Sequence, residues 1–119
     1  MSDEVTLAAA RRRIETLMRL IVARRGPAYR AGWRIWGTAM KHAPQSTELM
    51  WPMWLLWGAL TDWVEVKPGE TEQAESAMRR AAGEWLTLPD NVEAQRTYFH
   101  RWLYDEIGYE RPEQTTPTS

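Results

Sequence analysis

The chain has 119 residues, one domain's worth, of which 44% are hydrophobic and 26% charged; it has the means to bury a core and is excluded from the disordered and fibrous classes. It holds no Cys, which excludes a disulfide scaffold, a thiolate nucleophile, an iron–sulfur cluster and cysteine-ligated zinc, and points to a reducing, cytoplasmic setting. The net charge is −1, and two counts stand out: eight Trp against one Phe, and thirteen Arg against two Lys.

Leu7, Ala10, Ile14, Leu17 and Ile21 recur at spacings of three and four, with Met18 and Val22 widening the stripe, which predicts a first helix over 3–25. Ser2 or Asp3 caps it, Arg24 and Arg25 complement the dipole at its end, and Gly26-Pro27 stops it. A second helix is expected over 27–42, where Tyr29, Trp33, Trp36 and Met40 fall on one face before Ala43-Pro44 ends the run. Gly32 and Gly37 weaken that helix by about 1 kcal/mol each relative to Ala, so a packing reason is expected: room for another backbone or a Trp ring.

The third helix, capped by Ser46 or Thr47, runs to about residue 64, with Pro52 in its first turn or at a kink. Trp51, Trp54 and Trp57 together with Leu55, Leu56, Ala59 and Leu60 make it apolar nearly all round, the pattern of a buried central helix. After the turn Lys67-Pro68-Gly69, Thr71 caps a fourth helix with the narrow stripe Ala74, Met78, Ala81 and Trp85. Asp90 and Glu93 form an Asp version of the capping box, and Val92, Phe99, Leu103 and Ile107 trace the inner face of a fifth helix closed by Gly108.

No segment alternates strictly enough for a strand, and the connections of two to seven residues suit antiparallel neighbours. These segments predict an all-α fold: a compact bundle of about five helices with short connections in a single domain, 1–108, followed by a disordered polar tail, 109–119. A helix pair beside a three-helix unit is the alternative arrangement. Acidic Asp3 and Glu4 stand where a signal peptide carries positive charge. The longest uncharged apolar run, 49–60, has twelve residues interrupted by Pro52, short of the roughly 20 that span a bilayer, so no membrane is expected.

Charge is sorted along the chain. Residues 1–41 hold nine basic and three acidic side chains, a formal +6, and residues 42–119 hold six basic and thirteen acidic ones, a formal −7. Arg12 and Arg19 lie one heptad apart on the first helix, flanked by Arg11 and Arg13. Arg24 and Arg25 sit at the corner, and Arg30, Arg34 and Lys41 line a face of the second helix. Such a set can track a phosphate backbone, because guanidinium groups bind phosphate bidentately and release its counterions. Alternatively these side chains are solvated helix faces, or partners of Glu70, Glu72, Glu75 and Glu84 on the fourth helix.

Trp36, Trp54, Trp57 and Trp85 fall on inner stripes and are expected in the core. Trp33, Trp51 and Trp63 are expected to be partly exposed, as at a protein interface. His42 and His100 lack metal company: there is no Glu-x-x-His and no His-x-x-x-His. Nor is there a Gly-rich phosphate loop, a Gly-x-Ser-x-Gly elbow or a kinase or Rossmann signature. No catalytic residue, metal or cofactor is therefore expected.

These features point to a small helical subunit of a larger assembly. It binds protein partners and presents its Arg-rich first two helices to an RNA or DNA backbone without regard to base sequence. In size, helical character and basic face the whole chain resembles the small helical subunits of CRISPR ribonucleoprotein complexes, an example of that class. Two other readings compete. One is a stand-alone protein-binding factor, such as an immunity protein, inhibitor, assembly chaperone or phage accessory protein, that uses the acidic segment 70–84. The other is a bundle that holds an apolar or cationic small molecule between Trp rings.

Overall fold

The computed structural model describes residues 3–109. Ser2 and the tail residues 110–119 lie outside them, as do the side chains of 3–5 with the expected Asp3 cap. Five α-helices follow in chain order: α1 (Asp3–Val22), α2 (Ala28–His42), α3 (Met50–Val66), α4 (Thr71–Leu86) and α5 (Val92–His100). The last continues without a break into a π-helical stretch, Arg101–Ile107. Single 3-10 turns, Ala43–Gln45 and Pro68–Glu70, lead into α3 and α4, and no strand occurs among the described residues. α2 packs between α1 and α3, α4 closes on α1 and α3, and the last helix lies against α3. Ile14, Met18, Ile35, Leu56, Trp57, Met78 and Trp102 are buried in the hydrophobic cluster that the described residues form.

α1 follows its stripe but stops three residues before the expected end, and Val22 is exposed. The Arg24 N–H donates to the Ile21 carbonyl at 3.1 Å and the Arg25 N–H to the Leu20 carbonyl at 2.9 Å, the paired bonds of a Schellman ending. The residue in the left-handed position, normally Gly, is Arg24, at φ 57°. A Cβ is disfavoured there by about 1–2 kcal/mol, partly offset by the extra unfolded-state freedom of Gly. Arg24→Gly is therefore expected to stabilise the fold by about 0.5–1 kcal/mol, read as a Tm rise of a few degrees; a fall in Tm would refute this account.

α2 corrects the sequence reading. Its buried face is Ala28, Gly32, Ile35 and Ala39, one residue back from the expected Tyr29, Trp33, Trp36 and Met40. Trp33 is 51% and Met40 43% exposed, and Trp36 sits at the edge. The small residues win because they let α3 and α4 come close. A Cβ on Gly32 would stand 3.2 Å from Cε3 of Trp57 and 3.3 Å from Sδ of Met78. In the opposite direction, a Cβ on Gly58 of α3 would stand 3.1 Å from Cδ1 of Trp36. Each helix thus lends a glycine to an indole of the other. Gly37 has nothing within 4 Å, so the packing reason expected for it is not found.

α3 begins after a turn in which Ser46 Oγ accepts from the Met50 N–H at 3.2 Å, and Pro52 falls in its first turn. Trp57 is fully buried as expected, whereas Trp54 is half-buried and packs edge-on to Trp51 with ring centroids 5.1 Å apart. On α4 the stripe Ala74, Met78, Ala81 and Trp85 is buried, but Thr71 does not cap: its hydroxyl donates to the Pro68 carbonyl at 2.7 Å. α5 is capped by Asn91, whose Oδ1 accepts from the Ala94 N–H at 2.8 Å, and Asp90 turns instead to Arg11.

Val92 is 52% exposed, so the inner face of the last helix starts later than expected, at Tyr98 and Phe99. Trp102 and Leu103 follow at i+4 from Tyr98 and Phe99 and are buried with them, and from Arg101 onward the helix runs in the wider π turns. Gly108, at φ 97°, ends the helix, with its own N–H and that of Tyr109 both donating to the Leu103 carbonyl at 3.1 and 2.8 Å.

Polar contacts tie this helix to α4. Glu84 Oε1 accepts from Arg101 and, at 2.9 Å, from the Trp102 indole. Arg80 pairs with Glu106 at 3.1 Å while its guanidinium lies 4.9 Å over the Trp102 ring. Burial pushes the Glu84 carboxyl up, but the hydrogen bonds from Arg101 and Trp102 and the charges of Arg101 and Arg80 outweigh it and hold the group below its ordinary 4.5. A carboxyl lowered in the folded state adds stability that is present above the unfolded pKa and is lost as pH falls through the folded one. The wild type is therefore expected to lose Tm more steeply than Glu84→Gln on acidification below about pH 4.5; parallel Tm–pH curves would refute the role of Glu84.

Candidate nucleic-acid interface

α1 and α2 are packed neighbours joined by the corner 23–27. The apolar residues of α1 fix its rotation, which puts Arg12 and Arg19 outward with Arg13 beside them. The Ala28, Gly32, Ile35 and Ala39 face does the same for α2 and puts Arg30, Arg34 and Lys41 on one outward stripe. From Arg30 to Lys41 that stripe runs about 16 Å along the helix, several phosphates at roughly 3.4 Å per step of one strand.

Arg12, Arg13, Arg19, Arg24, Arg25, Arg30, Arg34 and Lys41 are all exposed, and among the described residues none of them makes an ion pair. Of the four carboxylates expected as internal partners, Glu72 is exposed and pairs with none of these cations among the described residues, and the other three are used elsewhere. Glu70 accepts from the Trp63 indole at 2.7 Å. Glu75 accepts from the Tyr29 backbone N–H at 3.0 Å, capping the N-terminus of α2, and Glu84 holds the last helix.

Arg11 is the ninth basic residue of this region and does not share its surroundings. It pairs with Glu15 at 3.0 Å and with Asp90 at 3.2 Å, and its guanidinium lies 5.6 Å over the Trp85 ring. Glu15 also accepts from the Trp85 indole at 3.0 Å. Arg11 thus joins α1 to α4 and the start of α5 on the opposite flank, and drops out of the candidate face.

The three expected interface Trp residues are not brought together. Trp33 stands exposed on α2, tilted 41° against Trp36 at 6.1 Å. Trp51 is 43% exposed at the start of α3. Trp63 is half-buried and pinned by Glu70, about 18 Å further along the same helix. A single aromatic hot spot of all three is therefore not formed.

Sequence reasoning missed a cleft between α2 and α3 that is walled by Trp33, Trp36, Asp62 and Glu65. The one-turn spacing of Asp62 and Glu65 was a signal, but which α2 residues they meet depends on how the two helices cross. His100 packs edge-on to Tyr104 at 5.3 Å. Among the described residues no three His, Asp or Glu side chains gather as a metal set, and no helix is long and apolar enough to cross a membrane. No family model, no curated protein and no solved structure matches the chain.

Proposed function

We propose that the protein is a non-catalytic helical subunit that holds an RNA or DNA backbone on the outer surface of α1, the 23–27 corner and α2, and takes protein partners at its Trp-bearing edges. The observation that supports this reading is the set of eight exposed cations with no carboxylate partner among the described residues, on a chain whose net charge is only −1. Such a cluster repels itself, and a polyanion relieves that repulsion while releasing counterions. Arg24 adds a second support: a non-glycine held at positive φ in the middle of the cluster is a local cost of the sort that collects at working surfaces. Contacts made by guanidinium groups to phosphate carry no base information, so binding is expected to be indifferent to sequence.

The experiment is a titration with short RNA and DNA of unrelated sequences at 50 and 200 mM salt. Affinity is expected to fall by at least about tenfold between the two, as the release of a few counterions requires, and to vary little between sequences. No binding at the lower salt, or binding that ignores salt, overturns the proposal.

A further inference from the structure

We propose that the cleft between α2 and α3 is a binding site for a guanidinium group, presented as an arginine side chain by a protein partner. The cleft has a volume of about 340 Å³, and Trp33, Trp36, Asp62, Glu65 and Tyr109 line it. Its chemistry is the reverse of the Arg-rich surface, and the proposal stands independently of the nucleic-acid reading.

The walls are built rather than accidental. Gly58 lacks the Cβ that would stand 3.1 Å from Cδ1 of Trp36, and so lets that indole settle against α3. Trp33 stands one turn earlier, its ring centroid 6.1 Å away and its plane tilted by 41°, and both indoles line the cleft. Glu65 is held from below: its Oε2 accepts from the Tyr29 hydroxyl at 2.8 Å, which leaves the other oxygen available. Asp62, one turn back on α3, is exposed and accepts no hydrogen bond among the described residues. Tyr109 closes the end, positioned by the left-handed Gly108 and its own N–H bond to Leu103.

Indole faces carry negative quadrupole and attract cations, and the two carboxylates add formal charge of the same sign. An anion is repelled by Asp62 and Glu65, and an apolar ligand would strip water from them without return. Among cations, a quaternary ammonium offers no N–H to the carboxylates, and two neighbouring indoles of one helix do not enclose it. A planar guanidinium stacks on an indole and donates in its own plane to a carboxylate, using both features at once. Trp33, Asp62, Glu65 and Tyr109 are exposed, so the cleft opens to solvent. A side chain can enter it while its backbone stays outside.

The test follows the indole N–H signals of the ¹⁵N-labelled full chain in two-dimensional NMR; the Trp33 and Trp36 signals are identified by their loss in Trp33→Phe and Trp36→Phe. The probes are a blocked Gly-Arg-Gly peptide, the matching Gly-Lys-Gly peptide, methylguanidine and choline, at constant ionic strength. The arginine peptide is expected to shift the two signals saturably, with an affinity at least that of methylguanidine and several-fold above those of the lysine peptide and choline. Asp62→Asn is expected to weaken it about tenfold, the loss of one charged hydrogen-bond acceptor. Absence of a saturable shift, equal effects of choline, or an unaltered affinity in Asp62→Asn overturns the site. Methylguanidine binding more tightly than the peptide overturns the protein-borne source and leaves a free small cation as the ligand.

Discussion

Trp102→Ala is expected to remove about 3–5 kcal/mol of folding stability, a large share of the 5–15 kcal/mol typical of a domain. The ring is 1% exposed, donates from Nε1 to Glu84 at 2.9 Å and supports the Arg80 guanidinium at 4.9 Å. Truncation leaves a cavity in the cluster, deprives Glu84 of a donor and removes the surface on which Arg80 and Arg101 rest. Trp102→Phe keeps most of the volume and loses the hydrogen bond, so it should cost about 1–2 kcal/mol. Urea denaturation of the three proteins gives the ranking directly. A Trp102→Ala midpoint near the wild-type value would mean that the last helix contributes little to the fold.

The combined change Arg12→Glu, Arg19→Glu and Arg34→Glu is expected to weaken nucleic-acid binding about a hundredfold or more at low salt, since three attractions become three repulsions. If each arginine neutralises one phosphate of a B-form duplex, the slope of log affinity against log salt should fall by roughly 2.7. The fold should be indifferent, because all three side chains are exposed and unpaired among the described residues; surface changes of this sort stay within about 0.5 kcal/mol each. Circular dichroism and Tm on the same samples separate the two roles. Unfolding of the triple variant would show the arginines to be structural, and retained binding would move the interface elsewhere.

The five helices and the stripes of α1 and α4 were legible because their apolar residues follow one periodicity with no rival. α2 was misread for a physical reason. Hydrophobicity favours the stripe that carries Trp33, Trp36 and Met40, but the packing distance to α3 and α4 favours Ala28, Gly32 and Ala39, and close approach prevailed. Trp102 stands at helical spacing from Tyr98 and Phe99 and so was legible in the pattern, but a stripe anchored on Val92, which is 52% exposed, runs through Phe99, Leu103 and Ile107 and passes it by. The Arg-rich face was legible as far as exposure goes. That Arg11 leaves it for Glu15 and Asp90 depends on where the loop before α5 lands, and the Trp33–Asp62 cleft depends on two helices crossing. Neither is encoded locally.

The glycine that each of α2 and α3 lends to an indole of the other also determines where the chain tolerates changes of length. Gly32 and Trp36 are separated by one turn on α2, as Trp57 and Gly58 are adjacent on α3. An added or deleted residue between Gly32 and Trp36 turns one contact by about 100° relative to the other, so both cannot be kept. The same change in the connection 43–49 leaves both in place. Natural and laboratory variants of this hairpin should accordingly differ in loop length, while the count of residues from Gly32 to Trp36 stays fixed.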